Sequence, residues 1–149
     1  MENNKEIAEN LSVLVKGELA AVETYKQALD KITSPEIAGP DLRRIEEEHE
    51  QALGVLRAHM ARQNAVAPVD SGLWGEWAKA VEGAASAFGD KAAIKALKEG
   101  EEHGVHSYEK ALRDRELDAE IRQIISLKLL PTTKAHIPVL DRLLAKAGK

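Results

Sequence analysis

Apolar residues recur at spacings of three and four along nearly the whole chain, and the strict alternation of a strand is nearly absent, so the pattern predicts an all-α protein. The stripe Leu11, Leu14, Val15, Val22, Tyr25, Leu29 predicts a helix A over about 5–32. It should stop near Ser34-Pro35, because proline disfavours helix in the residue before it. Gly39-Pro40 reads as a break, after which Leu42, Ile45, Leu53, Leu56 and Met60 predict a helix B over about 41–62. A and B then form an antiparallel hairpin. The long link that follows contains "SGLWGEWAKAVEGAASAF", with Ser71 as N-cap and an apolar face of Leu73, Trp77, Val81 and Phe88, which predicts a crossing helix over about 71–88. Trp74 and Trp77 would pack it on the bundle or form part of a dimer face. Helix C is expected over about 90–112 with Asp90 as N-cap, and helix D over about 117–146, kinked at Pro131 and Pro138. Hairpin, long crossover, hairpin is the wiring of a four-helix bundle with one long connection.

An internal repeat supports two related hairpins. "LVKGELAAVETYKQAL" (14–29) aligned with "LKEGEEHGVHSYEKAL" (97–112) pairs Leu14 with Leu97, Gly17 with Gly100, Glu18 with Glu101, Val22 with Val105, Tyr25 with Tyr108 and Leu29 with Leu112. In the second helix of each half, His49 falls opposite His136 and Leu53 opposite Leu140. A pseudo-twofold axis is implied.

The repeat sorts inward from outward polar groups. Glu18 interrupts the apolar stripe between Leu14 and Val22, and Glu101 does the same between Leu97 and Val105. His49 interrupts the stripe of B, and His136 lies four residues before Leu140 on D. Helical spacing therefore points one polar group from each long helix at a common interior. A carboxylate there must take up a proton, find a partner or bind a cation. Glu46 and His49 stand at i, i+3, which lets carboxylate and imidazole converge inside a bundle. Tyr25 and Tyr108, each seven residues after a candidate Glu, read as core aromatics or as neighbours of those carboxylates. Glu47, Glu48, Glu50, Glu99, Glu102, His103 and His106 are assigned to solvated faces, with Glu102 and His106 as a surface pair. Two readings stay open: a metal held by the inward groups, or a metal-free hydrogen-bonded network.

Composition narrows the chemistry. The chain of 149 residues, 44% hydrophobic, suits one domain with a core. A net charge of −4 without a basic tract gives no expectation of nucleic acid or an anionic membrane as partner. The polar N-terminal stretch carries no apolar signal core and no window suits a membrane span, so a cytoplasmic location is expected. The absence of cysteine excludes disulfides, thiolate metal sites and cysteine nucleophiles. No glycine-rich phosphate loop, nucleophile elbow or His-Glu-x-x-His pair occurs.

With core-facing Glu18 and Glu101 and the Glu46/His49 pair, the chain resembles the ferritin-like superfamily, of the rubrerythrin and bacterioferritin kind. It looks closest to a bacterial family of ferritin-like bundles with a tryptophan-bearing crossover. The resemblance implies a ferritin-like antiparallel four-helix bundle and a metal site of Glu18, Glu46, His49, Glu101 and His136. Tyr25, Tyr108 and Thr133 would stand around it. It further implies iron, in a di-iron arrangement, with oxidase, peroxidase or stress-related redox work; zinc and manganese suit the same donors. The departure is Thr133, where the superfamily pattern has a carboxylate three residues before the histidine of D. Five ligands would then hold one ion, or two with water or an exogenous anion filling the gap. The alternative is a metal-free structural or interaction module, a homodimer.

Overall fold

The computed structural model describes residues 2–33, 35–70 and 75–147, and among these every regular element is helical. In chain order they are α1 (Glu2–Lys31), α2 (Pro35–Arg62), α3 (Gly75–Phe88), α4 (Asp90–Leu112) and α5 (Ala119–Ile124). A π-helical stretch (Ile125–Leu129) then leads directly into α6 (Leu130–Ala147). α1 packs on α2 and α4 on α6, α1 and α4 also meet, and α3 lies across both α1 and α4. No helix among the described residues is long and apolar enough to cross a membrane.

Prolines shift the boundaries expected from sequence. Helix B does not wait for Gly39-Pro40: α2 begins at Pro35 and runs through Pro40. Proline at a helix start has no donor to lose and a preset φ. Pro40 leaves the Glu36 carbonyl without its usual partner, but both residues are exposed, where that carbonyl can be hydrated. The final helix starts later than expected, with Leu117 buried ahead of it and Asp118 at the N-cap position. Pro131 does not break the helix. The widened turn before it gives the Leu130 N–H to the Ile125 carbonyl, so the helix accommodates the missing donor within a π-bulge. Ser34, which was to end helix A, and Ser71, Leu73 and Trp74 of the expected crossover lie outside the described residues. Phe88 is 81% exposed and does not belong to the buried face of α3.

Asp90 is helical rather than an N-cap; Gly89 takes that place with φ 86°, a conformation that favours glycine. The Asp90 carboxylate instead accepts bonds from the backbone N–H and hydroxyl of Thr33, at 2.9 and 3.0 Å, tying the end of α1 to the start of α4.

Two apolar clusters fill the interior. One gathers Leu11, Leu14, Val15, Leu56, Met60, Tyr108, Ile121 and Ile125; the other gathers Tyr25, Ala28, Leu42, Ile45, Val81, Ile94, Leu97 and Leu140. Between them, where each long helix passes from one cluster to the other, lie Glu18, His49, Glu101 and His136, all buried. The polar layer is thus sealed at both ends.

Trp77 fixes α3 to this frame. Its indole donates to the Ala96 carbonyl at 3.0 Å and meets Tyr25 edge-on at 6.2 Å. The ring lies so close to α4 that a Cβ at Gly100 would fall 1.8 Å from Trp77 Cε2. Gly100→Ala should therefore destabilise the protein by about 1–3 kcal/mol, because displacing a packed, hydrogen-bonded indole outweighs the helix-propensity gain of up to ~1 kcal/mol. Gly54 in α2 has open space around it, and Gly54→Ala should stabilise by about 0.5–1 kcal/mol. Denaturant unfolding of both variants checks the pair; equal effects would contradict the packing assigned to Trp77.

Candidate metal centre

Each long helix contributes to the polar layer because a polar residue stands at a core position of its apolar stripe at that depth: Glu18, His49, Glu101 and His136. His49 of α2 sits at the middle. Its Nδ1 lies 2.6 Å from Glu18 Oε2 of α1 and its Nε2 lies 2.6 Å from Glu101 Oε1 of α4. Glu101 is shared further: Oε2 lies 3.2 Å from His136 Nδ1 of α6. The rings of His49 and His136 approach to 4.9 Å between centroids.

The tyrosines close the layer crosswise. Tyr25 donates to Glu101 at 2.8 Å and Tyr108 donates to Glu18 at 2.7 Å. Each phenol therefore serves the carboxylate of the other half, not the one seven residues before it. Two helical turns separate residues i and i+7 by about 10.5 Å, so reaching across the bundle is shorter than reaching back along the helix. Tyr25 also stacks on His49 with centroids 5.5 Å apart.

Other expected positions fall differently. Glu46 stands apart from the cluster, half-buried, with Oε1 3.8 Å from Lys26 Nζ; burial and neighbouring Glu50 raise its carboxyl above the usual value. Glu48, assigned from sequence to a solvated face, instead lies 2.8 Å from His136 Nε2 with its side chain 35% exposed. No periodic signal marks Glu48, and its counterpart in the repeat is Ala135; only the approach of α6 brings it a partner. Thr133 is buried and donates to the Leu129 carbonyl at 2.9 Å. Glu99, Glu102, His103 and His106 are exposed, as the repeat implied, although His106 faces Glu109 at 3.7 Å rather than Glu102.

The electrostatics follow from burial in contact with opposite charge. Burial alone would lower the His49 pKa, but the facing Glu101 and Glu18 outweigh it and hold the imidazole well above its usual value. An imidazole that donates from both nitrogens is an imidazolium. Burial would raise Glu101, yet His49 and the bonds from His136 and His49 lower it to about 2. Burial, then the adjoining carboxylates, push Tyr25 and Tyr108 well above the ordinary phenol. Both phenols stay protonated donors.

One donor atom from each of His49, Glu101 and His136 lies within 4.8 Å of the others, so these buried groups could hold a metal ion. A cavity of about 20 Å³ touches Glu18, His49, Glu101 and Tyr108 from the α1–α4 side. A larger one of about 240 Å³ reaches His49 and His136 from the α2–α6 side, past Glu48, Lys128 and Thr132.

The metal-free protein should show a two-sided pH dependence of stability. Glu101, depressed from 4.5 to about 2, contributes stability that is complete above its unfolded value and is lost as pH falls toward 2. His49, raised above 6.5, contributes stability that is complete below its unfolded value and is lost as pH climbs through the folded one. Thermal unfolding of chelator-treated protein should peak between about pH 4.5 and 6.5. Glu101→Gln should flatten the acid limb and shift the alkaline loss to lower pH; a profile parallel to that of the unsubstituted protein would contradict the coupling.

Among known proteins, no curated sequence and no solved structure matches this chain. Residues 6–114 match a family described as a domain of unknown function, DUF2383. That span carries Glu18, Glu48, His49, Glu101 and both tyrosines, while His136 lies beyond it. With well over half its length matched, the chain belongs to the DUF2383 family.

Proposed function

We propose that the protein is a metal-binding helical bundle of ferritin-like architecture, a single unit in which α1, α2, α4 and α5–α6 are the four long helices and α3 is the crossover. The proposed ligands of one divalent ion are His49, Glu101 and His136, with Glu18 and Glu48 as adjoining carboxylates. The observation that carries this reading is the buried convergence of two imidazoles on one carboxylate, with all three donors within 4.8 Å. The reading takes Glu48 in place of Glu46 from α2, since Glu46 faces Lys26. Thr133 stands where the other half has Glu46, which supports one ion over a symmetric pair.

Two imidazoles with carboxylates suit iron first, and manganese or zinc as well. Bound iron would supply one-electron chemistry toward oxygen or peroxide, the oxidase, peroxidase or stress-related role that the resemblance implies, whereas zinc would supply Lewis acidity. The chain's own residues orient the ligands. Tyr25 and Tyr108 each fix one carboxylate by a donated bond, and such outer bonds keep ligands aimed. The apolar clusters above and below the layer exclude bulk water, and the α2–α6 cavity is the wider approach for a small molecule.

A second reading has its own support: every polar side chain of the layer already has a partner without an ion. On that reading the layer is a structural network in a metal-free module, acting through its surface as a homodimer. Elemental analysis of protein purified without chelator separates the two. The metal reading expects Glu101→Gln and His49→Ala each to lose about one equivalent of a transition metal that the unsubstituted protein and Glu46→Gln retain. Metal content unchanged by the Glu101 and His49 substitutions, or none in the unsubstituted protein, would leave the structural network standing.

A further inference from the structure

A second group of ligand-type side chains meets at the other end of α2, about 15 Å along the helix from His49 at 1.5 Å per residue. His59 follows Leu56 by three residues on the buried stripe and is only 1% exposed, yet neither ring nitrogen makes a hydrogen bond. Its Nε2 lies 3.3 Å from Asp118 Oδ2, without hydrogen-bond geometry. A buried polar ring left unbonded is costly, and native interiors contain few of them.

Asp118 is placed to use that ring. It occupies the position just before α5, where an aspartate ordinarily caps the helix through its side chain, but its carboxylate makes no capping bond. The carboxylate turns instead toward His59 and accepts from Gln63 Nε2 at 3.4 Å. Two residues on, Glu120 is steadied by Arg62 NH2 at 2.5 Å. One donor atom from each of His59, Asp118 and Glu120 lies within 4.8 Å of the other two. Ligands of an ion at roughly 2.0–2.2 Å per bond need only a small closure from there. The two carboxylates, 39% and 56% exposed, have the freedom to make it.

We propose that His59, Asp118 and Glu120 form a second divalent-cation site, separate from the Glu101 centre, that fastens the end of α2 to the start of α5. One imidazole and two carboxylates with water in the open positions suit zinc or manganese. Arg62 holds Glu120 in place as an outer partner. The site does not depend on whether the central layer binds metal, because it shares no residue with it.

Equilibrium dialysis of the full chain against zinc alone, read by elemental analysis and by the thermal midpoint, tests this. The expected result is that Asp118→Asn and His59→Leu each lose one equivalent that Glu101→Gln keeps, with affinity at this end falling more than about tenfold. Zinc should raise the melting temperature of Glu101→Gln but not of Glu101→Gln combined with Asp118→Asn. If His59→Leu fails to fold, Asp118→Asn decides, since it preserves shape at a partly exposed position. Uptake in Asp118→Asn equal to that of the unsubstituted protein, or no uptake dependent on either residue, overturns the proposal.

Discussion

His49 held between Glu18 and Glu101 is the contact on which the arrangement of this protein turns. An imidazole with a carboxylate 2.6 Å from each nitrogen, sealed between two apolar clusters, joins α1, α2 and α4 at one depth. In an interior of low effective dielectric such a charge triad is strong when complete and costly when any member is missing. The same contact therefore sets the register of three helices. Tyr25 and Tyr108, donating crosswise from the opposite halves, add a bond to each carboxylate and remove the freedom to rotate away.

The repeat makes two similar hairpins, but the layer they build is not symmetric. His49 spans both carboxylates of the twofold pair, whereas His136 reaches only Glu101 and turns its other nitrogen to Glu48. Thr133 and the π-helical turn before Pro131 lie on the same departing side. The widened turn carries Lys128 to the rim of the larger cavity, so the α2–α6 face is both the less symmetric and the roomier.

Much of this was legible from periodicity alone. Apolar stripes interrupted by a polar residue placed Glu18, His49, Glu101 and His136 inward, and the repeat sent Glu99, Glu102, His103 and His106 outward, as their burial has them. Hidden features were those set by tertiary approach. Glu48 is off the stripe and has no repeat counterpart, so only the packing of α6 reveals its role. Glu46 has the expected spacing from His49, but a helical face about 100° wide leaves room for it to turn to Lys26 instead. Pro40 reads as a break and Pro131 as a kink because local rules know nothing of a solvated carbonyl or a π-bulge. His59 carries no signal in the sequence, since a histidine three residues from Leu56 looks like any core residue and only the fold leaves its ring nitrogens unbonded.

The buried layer has two ways to balance its carboxylates: a proton on His49 or a cation among them. A crystal grown with ferrous or zinc ion and measured across that metal's absorption edge distinguishes them directly. A metal-holding layer gives an anomalous peak about 2.0–2.2 Å from nitrogens of His49 and His136 and an oxygen of Glu101. Bound metal elsewhere with His49 still bridging Glu18 and Glu101 at hydrogen-bond distance would contradict it.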